Sequence, residues 1–206
     1  MINFSADGSF YNDIESRGYT VIPNALNKEL IADLMADCYR INPHFSHAGI
    51  GRLNHLQIDD NIRKDQTYWF DGSSQAQLTY LAVMESIRTT LNRTFFMGLF
   101  DYECHYAKYT HGDFYKKHVD AFKGRSNRVF TSVLYLNTPN EGGELVIYKP
   151  KSKVVEVSIS PKAGTLVLFE SERFVHEVLP AVDNRYSIAG WFRKNASISG
   201  IVDPPR

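Results

Sequence analysis

Residues 129–149 read VFTSVLYLNTPNEGGELVIYK: a run rich in β-branched and aromatic residues, a turn, and a second such run. The runs 129–136 and 144–149 have strand length. Between them, TPNEGG at 138–143 supplies the Pro, Asn and Gly that set turn dihedrals. The same texture recurs over 98–109, 114–119, 153–159, 165–169, 174–179 and 185–193, with turn chemistry in SPKAG at 160–164 and PAVDN at 180–184. About eight strands of that length and spacing predict a double-sheet jelly roll or barrel.

Upstream of residue 95 the pattern differs. GYTVIPNAL at 18–26 reads as a short strand that ends at Pro23. From Asn27 to Ile41 the apolar residues Leu30, Ile31, Leu34, Met35 and Cys38 recur at helical spacing, with Asn27 where an N-cap belongs. Residues 42–71 read mostly as loop with one or two short strands. Residues 75–94 form a second helix, with Leu78, Leu81, Ala82, Met84, Ile87 and Leu91 along its length. The class is therefore α+β, mainly β, with N-terminal helices supporting one sheet. The expected organisation is one domain over 1–206: helical support and a covering loop in 1–95, a jelly-roll core in 96–193, and a tail in 194–206.

Lys+Arg and Asp+Glu balance at 23 each, so no global field points to nucleic acid or to a membrane surface. The basic clusters Lys116/Lys117 and Lys123/Arg125/Arg128 read first as solvated surface, with a basic rim around a site for an acidic ligand as the alternative. Two cysteines far apart, Cys38 and Cys104, make neither a disulfide framework nor a zinc finger, which favours a reducing, cytoplasmic setting. The first ten residues lack the charged and apolar regions of a signal peptide, and no apolar run is long enough to span a bilayer.

The segment YTHGDFYKKHVD at 109–120 holds the triplet His-x-Asp twice. His111-Gly112-Asp113 reads as a turn, with Asp113 its former. His118-Val119-Asp120 ends a strand, where residues two apart share a face and can converge on one ion. Downstream, His176 lies in the alternating stretch FVHEVL, and Arg185 opens RYSIAGW. Arg185, Ser187, Ala189 and Trp191 share one strand face, and an inward guanidinium needs a partner, which a carboxylate ligand supplies. Two imidazoles and one carboxylate leave three metal positions open, the arrangement suited to non-haem iron(II) that activates dioxygen. Residues and spacing thus suggest 2-oxoglutarate as cosubstrate. The remaining histidines, His44, His47, His55, His105 and His111, read as structural or surface residues.

His118-Val-Asp120, His176 and Arg185-Tyr-Ser187 together resemble the signature of iron(II)/2-oxoglutarate dioxygenases of the prolyl 4-hydroxylase class. The similarity is greater to the oxygen-sensing prolyl hydroxylases and their bacterial counterparts than to collagen hydroxylases. IRKDQTYW at 62–69, CHYAKY at 104–109, TSVLYLN at 131–137, GGELVIY at 142–148 and VHEVLPA at 175–181 carry it further. The resemblance implies a double-stranded β-helix core, with iron(II) on His118, Asp120 and His176. It implies 2-oxoglutarate on Arg185 and Tyr135, with Tyr109 and Trp191 in the same pocket. It assigns Arg63, Asp65 and Trp69 to a mobile loop that closes over the site and meets a protein substrate. An Asp65–Arg128 pair holding that loop is a further expectation. Dioxygen is the co-reactant and ascorbate an optional reductant. The implied partner is a protein bearing a target proline, in a bacterium a translation factor such as elongation factor Tu. Two other readings stand beside it: hydroxylation of a free amino acid or small molecule, and a jelly-roll metal-binding or sensory module without turnover.

Overall fold

A computed structural model describes residues 9–49, 59–121, 126–195, 197–198 and 201–202. Two helices carry the N-terminal half. Helix α2 (Lys28–Arg40) starts where Asn27, extended at φ −67 and ψ 155, accepts the Leu30 amide on its side chain. It buries Leu30, Ile31, Leu34 and Cys38. Helix α3 (Gln75–Phe95) is capped by Ser74 on the Gln77 amide. Its buried face is Gln77, Tyr80, Met84, Ile87 and Leu91, whereas Leu78 is 49% exposed. The face is rotated from the one that apolarity alone predicts, because Gln77 is taken inside for its polar atoms. Its side chain donates to Asp37 and accepts the amides of Asp71 and Gly72. Asp37 also accepts from the Tyr106 hydroxyl, so one buried carboxylate joins α2, α3 and the sheet beneath. A further helix, α1 (Ser9–Arg17), precedes strand β1 (Tyr19–Ile22) and is absent from the sequence reading.

All eight strands expected beyond residue 95 are present: β4 (Leu99–Tyr109), β5 (Tyr115–His118), β6 (Arg128–Tyr135), β7 (Leu145–Tyr148), β8 (Val155–Ile159), β9 (Leu166–Glu170), β10 (His176–Val178) and β11 (Arg185–Lys194). Two short strands, β2 (Ser46–His47) and β3 (Gln66–Trp69), come from the segment read mostly as loop. Two more in the tail, β12 (Ser197–Ile198) and β13 (Ile201–Val202), pair with each other. The major sheet runs β1-β9-β6-β11-β4-β3-β2 and the minor sheet β5-β10-β7-β8, with every paired neighbour antiparallel. From β4 to β11 the chain crosses between the sheets at every step except the β7–β8 hairpin, the jelly-roll pattern.

Each face of the major sheet has its own apolar layer. Tyr106, Leu134, Leu168, Ile188 and Phe192 meet α2 and α3, including Leu34, Met84 and Ile87. Each such fully buried aliphatic contributes about 1.5–3 kcal/mol. The opposite face, with Val133, Val167 and Phe169, packs on Leu145 and Ile147 of the minor sheet. The functional side chains share a cavity with Val133, Leu145 and Val178 of this inner layer.

Candidate active site

The register of β5 and β10 sets His118 directly opposite His176. Their ring centroids are 4.2 Å apart. His118 Nε2 lies 3.6 Å from Asp120 Oδ1, and His176 Nε2 lies 3.5 Å from Asp120 Oδ2. One ligand atom from each residue falls within 4.8 Å of the other two, so the three can hold a metal ion. Asp120 reaches this point from the bend after β5 rather than from the strand itself, which ends at His118. Strand alternation therefore identified the pair without being what brings it together.

Backbone carbonyls orient both imidazoles. His118 Nδ1 is 2.7 Å from Lys116 O and His176 Nδ1 is 3.2 Å from Phe174 O, in each case two residues earlier. A carbonyl can only accept, so the proton sits on Nδ1 and Nε2 is the lone-pair nitrogen, as a metal requires. Burial, helped by the neighbouring His118, pushes the His176 pKa down to about 4 and keeps that ring neutral. Burial acts in the opposite direction on Asp120, but His176, His118 and Arg128 together hold it well below the usual carboxylate range. Thr131 Oγ1 donates to Asp120 Oδ2 at 2.7 Å, so Ser171, 2.9 Å from that hydroxyl, donates in turn.

Across the cavity, β11 begins with Arg185, which is 2% exposed. Its guanidinium carbon lies 4.7 Å from the Tyr109 ring and 5.0 Å from the Tyr135 ring, and Nη1 donates to Ser187 at 2.9 Å. Among the described residues it makes no ion pair. Arg185 Nε and the Tyr135 hydroxyl are buried without a hydrogen-bond partner; so is Trp191 Nε1, but six residues further along β11, beside Thr131 rather than Arg185. Unpaired buried donors around a buried cation are costly, and a carboxylate placed there satisfies them. Gly143, at φ +74, passes so close that a Cβ there would lie 2.8 Å from Arg185 Cδ, which keeps that position to glycine. The triad and Arg185 line one cavity of about 400 Å³. Its donor set, two imidazoles and a carboxylate in one cavity with a guanidinium that has no ion-pair partner among the described residues, fits iron(II) and a dicarboxylate.

Of the expected loop residues, Arg63 and Trp69 line this cavity, whereas Asp65 is fully buried behind it. The expected Asp65–Arg128 pair does not form. Arg63, two residues away, takes both Asp65 oxygens at 2.8 and 2.6 Å. Arg128 is not solvated surface either: it bonds Glu103 at 2.8 Å and lies 3.5 Å over the Trp191 ring. Lys123, Arg125 and His55 lie outside the described residues. His105 and His47, read as structural or surface residues, both line the cavity. His105 was legible, because it alternates with Ala107 and Tyr109 on one face of β4.

A model of the 2OG-Fe(II) oxygenase superfamily matches residues 104–193. The chain is 29% identical over 147 residues to a hypoxia-inducible factor prolyl hydroxylase of Caenorhabditis elegans; the match covers 64% of this chain and 20% of that protein. It thus spans about a fifth of that curated relative's length. A Pseudomonas putida prolyl-4-hydroxylase superposes with TM-score 0.82 at 35% identity, over 92% of this chain and 99% of that one. A Trichoplax adhaerens prolyl hydroxylase, solved with a hypoxia-inducible factor oxygen degradation domain peptide, gives TM-score 0.77 at 29% identity, over 89% and 86%.

Proposed function

This chain belongs to the 2OG-Fe(II) oxygenase superfamily, in its prolyl hydroxylase class, and from that premise we propose that it is a prolyl 4-hydroxylase acting on a protein substrate. One observation carries the reading: three metal-binding side chains and an unpaired arginine line the same cavity. His118, Asp120 and His176 hold iron(II), and Arg185 with Tyr135 takes the far carboxylate of 2-oxoglutarate. Iron bound there supplies the oxygen activation that couples decarboxylation of 2-oxoglutarate to succinate with hydroxylation of a C–H bond.

The chain's own residues do the positioning. The Lys116 and Phe174 carbonyls keep Nε2 of each histidine toward the centre. Thr131 holds Asp120, leaving Oδ1 free of that bond. Trp191, braced by Arg128, lines the cavity. Ala48, Gly49 and Arg63 form the rim where a substrate segment enters. The complex of the Trichoplax enzyme with a peptide supports a polypeptide substrate. Two buried, unpaired thiols support a reducing, cytoplasmic setting.

The test is succinate release with iron(II), 2-oxoglutarate and ascorbate, alongside mass spectrometry of proline-bearing peptides and folded proteins. In a bacterial setting, elongation factor Tu is the first of these to try. The expected result is peptide-stimulated turnover with one oxygen atom gained at proline. Stimulation by free amino acids alone would move the reading to small-molecule hydroxylation, and no succinate under any condition would leave only a metal-binding module.

A further inference from the structure

Tyr115 lines the same cavity, and its ring lies flat against the proposed metal ligand His118. The Tyr115 and His118 centroids are 3.5 Å apart, with planes 13° from parallel. Regular alternation would put residues three apart on opposite faces. The β5–β10 ladder, however, pairs His118 with His176 and Tyr115 with Val178, so three steps on β5 match two on β10. This bulge turns both rings to the same side.

The other face of Tyr115 carries Arg63, whose guanidinium carbon is 4.3 Å from the ring centroid. Arg63 is held in turn by both oxygens of Asp65 and reaches Gly49 O at 3.4 Å. Burial disfavours its charge, but the Asp65 hydrogen bonds more than restore it. The backbones are joined as well. The Lys64 amide donates to Phe114 O at 3.1 Å and the Lys116 amide to Ile62 O at 2.8 Å. Lys116 O is the carbonyl that accepts the His118 Nδ1 proton. The rim segment 62–65 therefore reaches the ligand by two routes: a cation–ring–imidazole stack and a hydrogen-bonded ladder.

We propose that Tyr115 is a positioning residue that fixes the His118 ring for metal binding and couples metal occupancy to the ordering of segment 62–65. The inference rests on the metal-site reading above. An imidazole has two soft torsions. The Lys116 carbonyl restrains the nitrogen, and the Tyr115 face restrains the ring plane. A metal that immobilises His118 immobilises the face on which Arg63 rests. An ordered 62–65 segment, by the same linkage, holds His118 ready for metal.

The test uses the full chain without 2-oxoglutarate or oxygen, so turnover is not the readout. Mn(II) affinity is measured by calorimetry, and amide exchange at Lys64 and Lys116 is followed with and without Mn(II). Tyr115→Leu should bind Mn(II) roughly 10-fold more weakly, the lower end of outer-shell effects, and lose most of the metal-dependent slowing at both amides. Tyr115→Phe keeps the ring and should keep both properties. Arg63→Gln, which spares the stack on His118, should lose slowing and affinity by one common factor. Wild-type binding with Tyr115→Leu unchanged in affinity overturns the proposal alone. So does a folded Tyr115→Phe that loses affinity, or an Arg63→Gln whose slowing persists. A wild-type chain that binds no Mn(II) overturns the metal site, and the proposal with it.

Discussion

At the His118–Asp120–His176 end of the cavity, both imidazole Nδ1 atoms and Asp120 Oδ2 have partners, whereas at the other end Arg185 Nε and the Tyr135 hydroxyl have none. The two ends are made of similar chemistry, each a cluster of polar side chains at a sheet end. They differ in what completes them. The triad is assembled by the chain: carbonyls and a Thr131–Ser171 relay place each ligand before any ion arrives. The Arg185 end is left incomplete, with its cation seated between two tyrosine rings and its spare donors buried. The first geometry favours a tightly held metal that stays through many cycles. The second favours a cosubstrate that is bound, consumed and replaced.

This difference can be broken by substitution, most severely at the triad. His176→Ala removes a ligand from a site with three, and Mn(II) affinity should fall by more than the roughly 10- to 100-fold typical of outer-shell changes, with succinate release abolished. Retained turnover would mean that the metal is held elsewhere. Arg185→Ala should act at the other end only. Half-saturating 2-oxoglutarate should rise by about 10- to 100-fold, the worth of about 1.5–3 kcal/mol of charged hydrogen bonding, while Mn(II) affinity stays near wild type. Unchanged saturation would remove the anchoring role. A parallel loss of metal binding would show that the two ends are one cooperative unit.

Regions of strong local pattern were legible in the sequence. The eight jelly-roll strands follow from alternating β-branched and aromatic runs between turn residues, and α2 from its apolar spacing and the Asn27 cap. The gathering of His118, Asp120, His176 and Arg185 was legible as well, through order and spacing. What escaped depends on tertiary context. Helix α1 has only Phe10 and Ile14 as its buried face, too few residues for a period to stand out. Gln77 faces inward because Asp37 waits there, 40 positions away in the chain. The Arg63–Asp65 pair displaced the expected Asp65–Arg128 contact because a side chain two residues off reaches a buried carboxylate first. Tyr115 was hidden by a bulge, which breaks the alternation that sequence reading relies on. His105 obeyed that alternation and was set aside only because a lone histidine is more often structural.

His105 allows a smaller and sharper test of the same contrast, because it is a buried imidazole beside the cavity with no carboxylate of its own to hold. Its ring lies 5.0 Å from Trp69 and 5.5 Å from Trp191, with Nδ1 on the Tyr106 carbonyl. Burial first, and then the positive Arg63, pushes its pKa down to about 4, against an ordinary value of 6.5. Between those two values the unfolded chain binds a proton at this residue and the folded chain does not. Stability should therefore be complete above pH 6.5 and decline as pH falls towards 4, on the order of 1 kcal/mol per pH unit for a single group. His105→Leu should flatten that part of the urea-unfolding profile by about one proton while the loss at lower pH, set by Asp120 and Asp37, remains. His176, buried to a similar pKa, should keep its own share of the acid loss in this variant, and bound metal, which also holds the ring unprotonated, should not remove it. An unchanged slope in His105→Leu would mean that the ring takes up its proton in the folded state, through water entering between the two tryptophans.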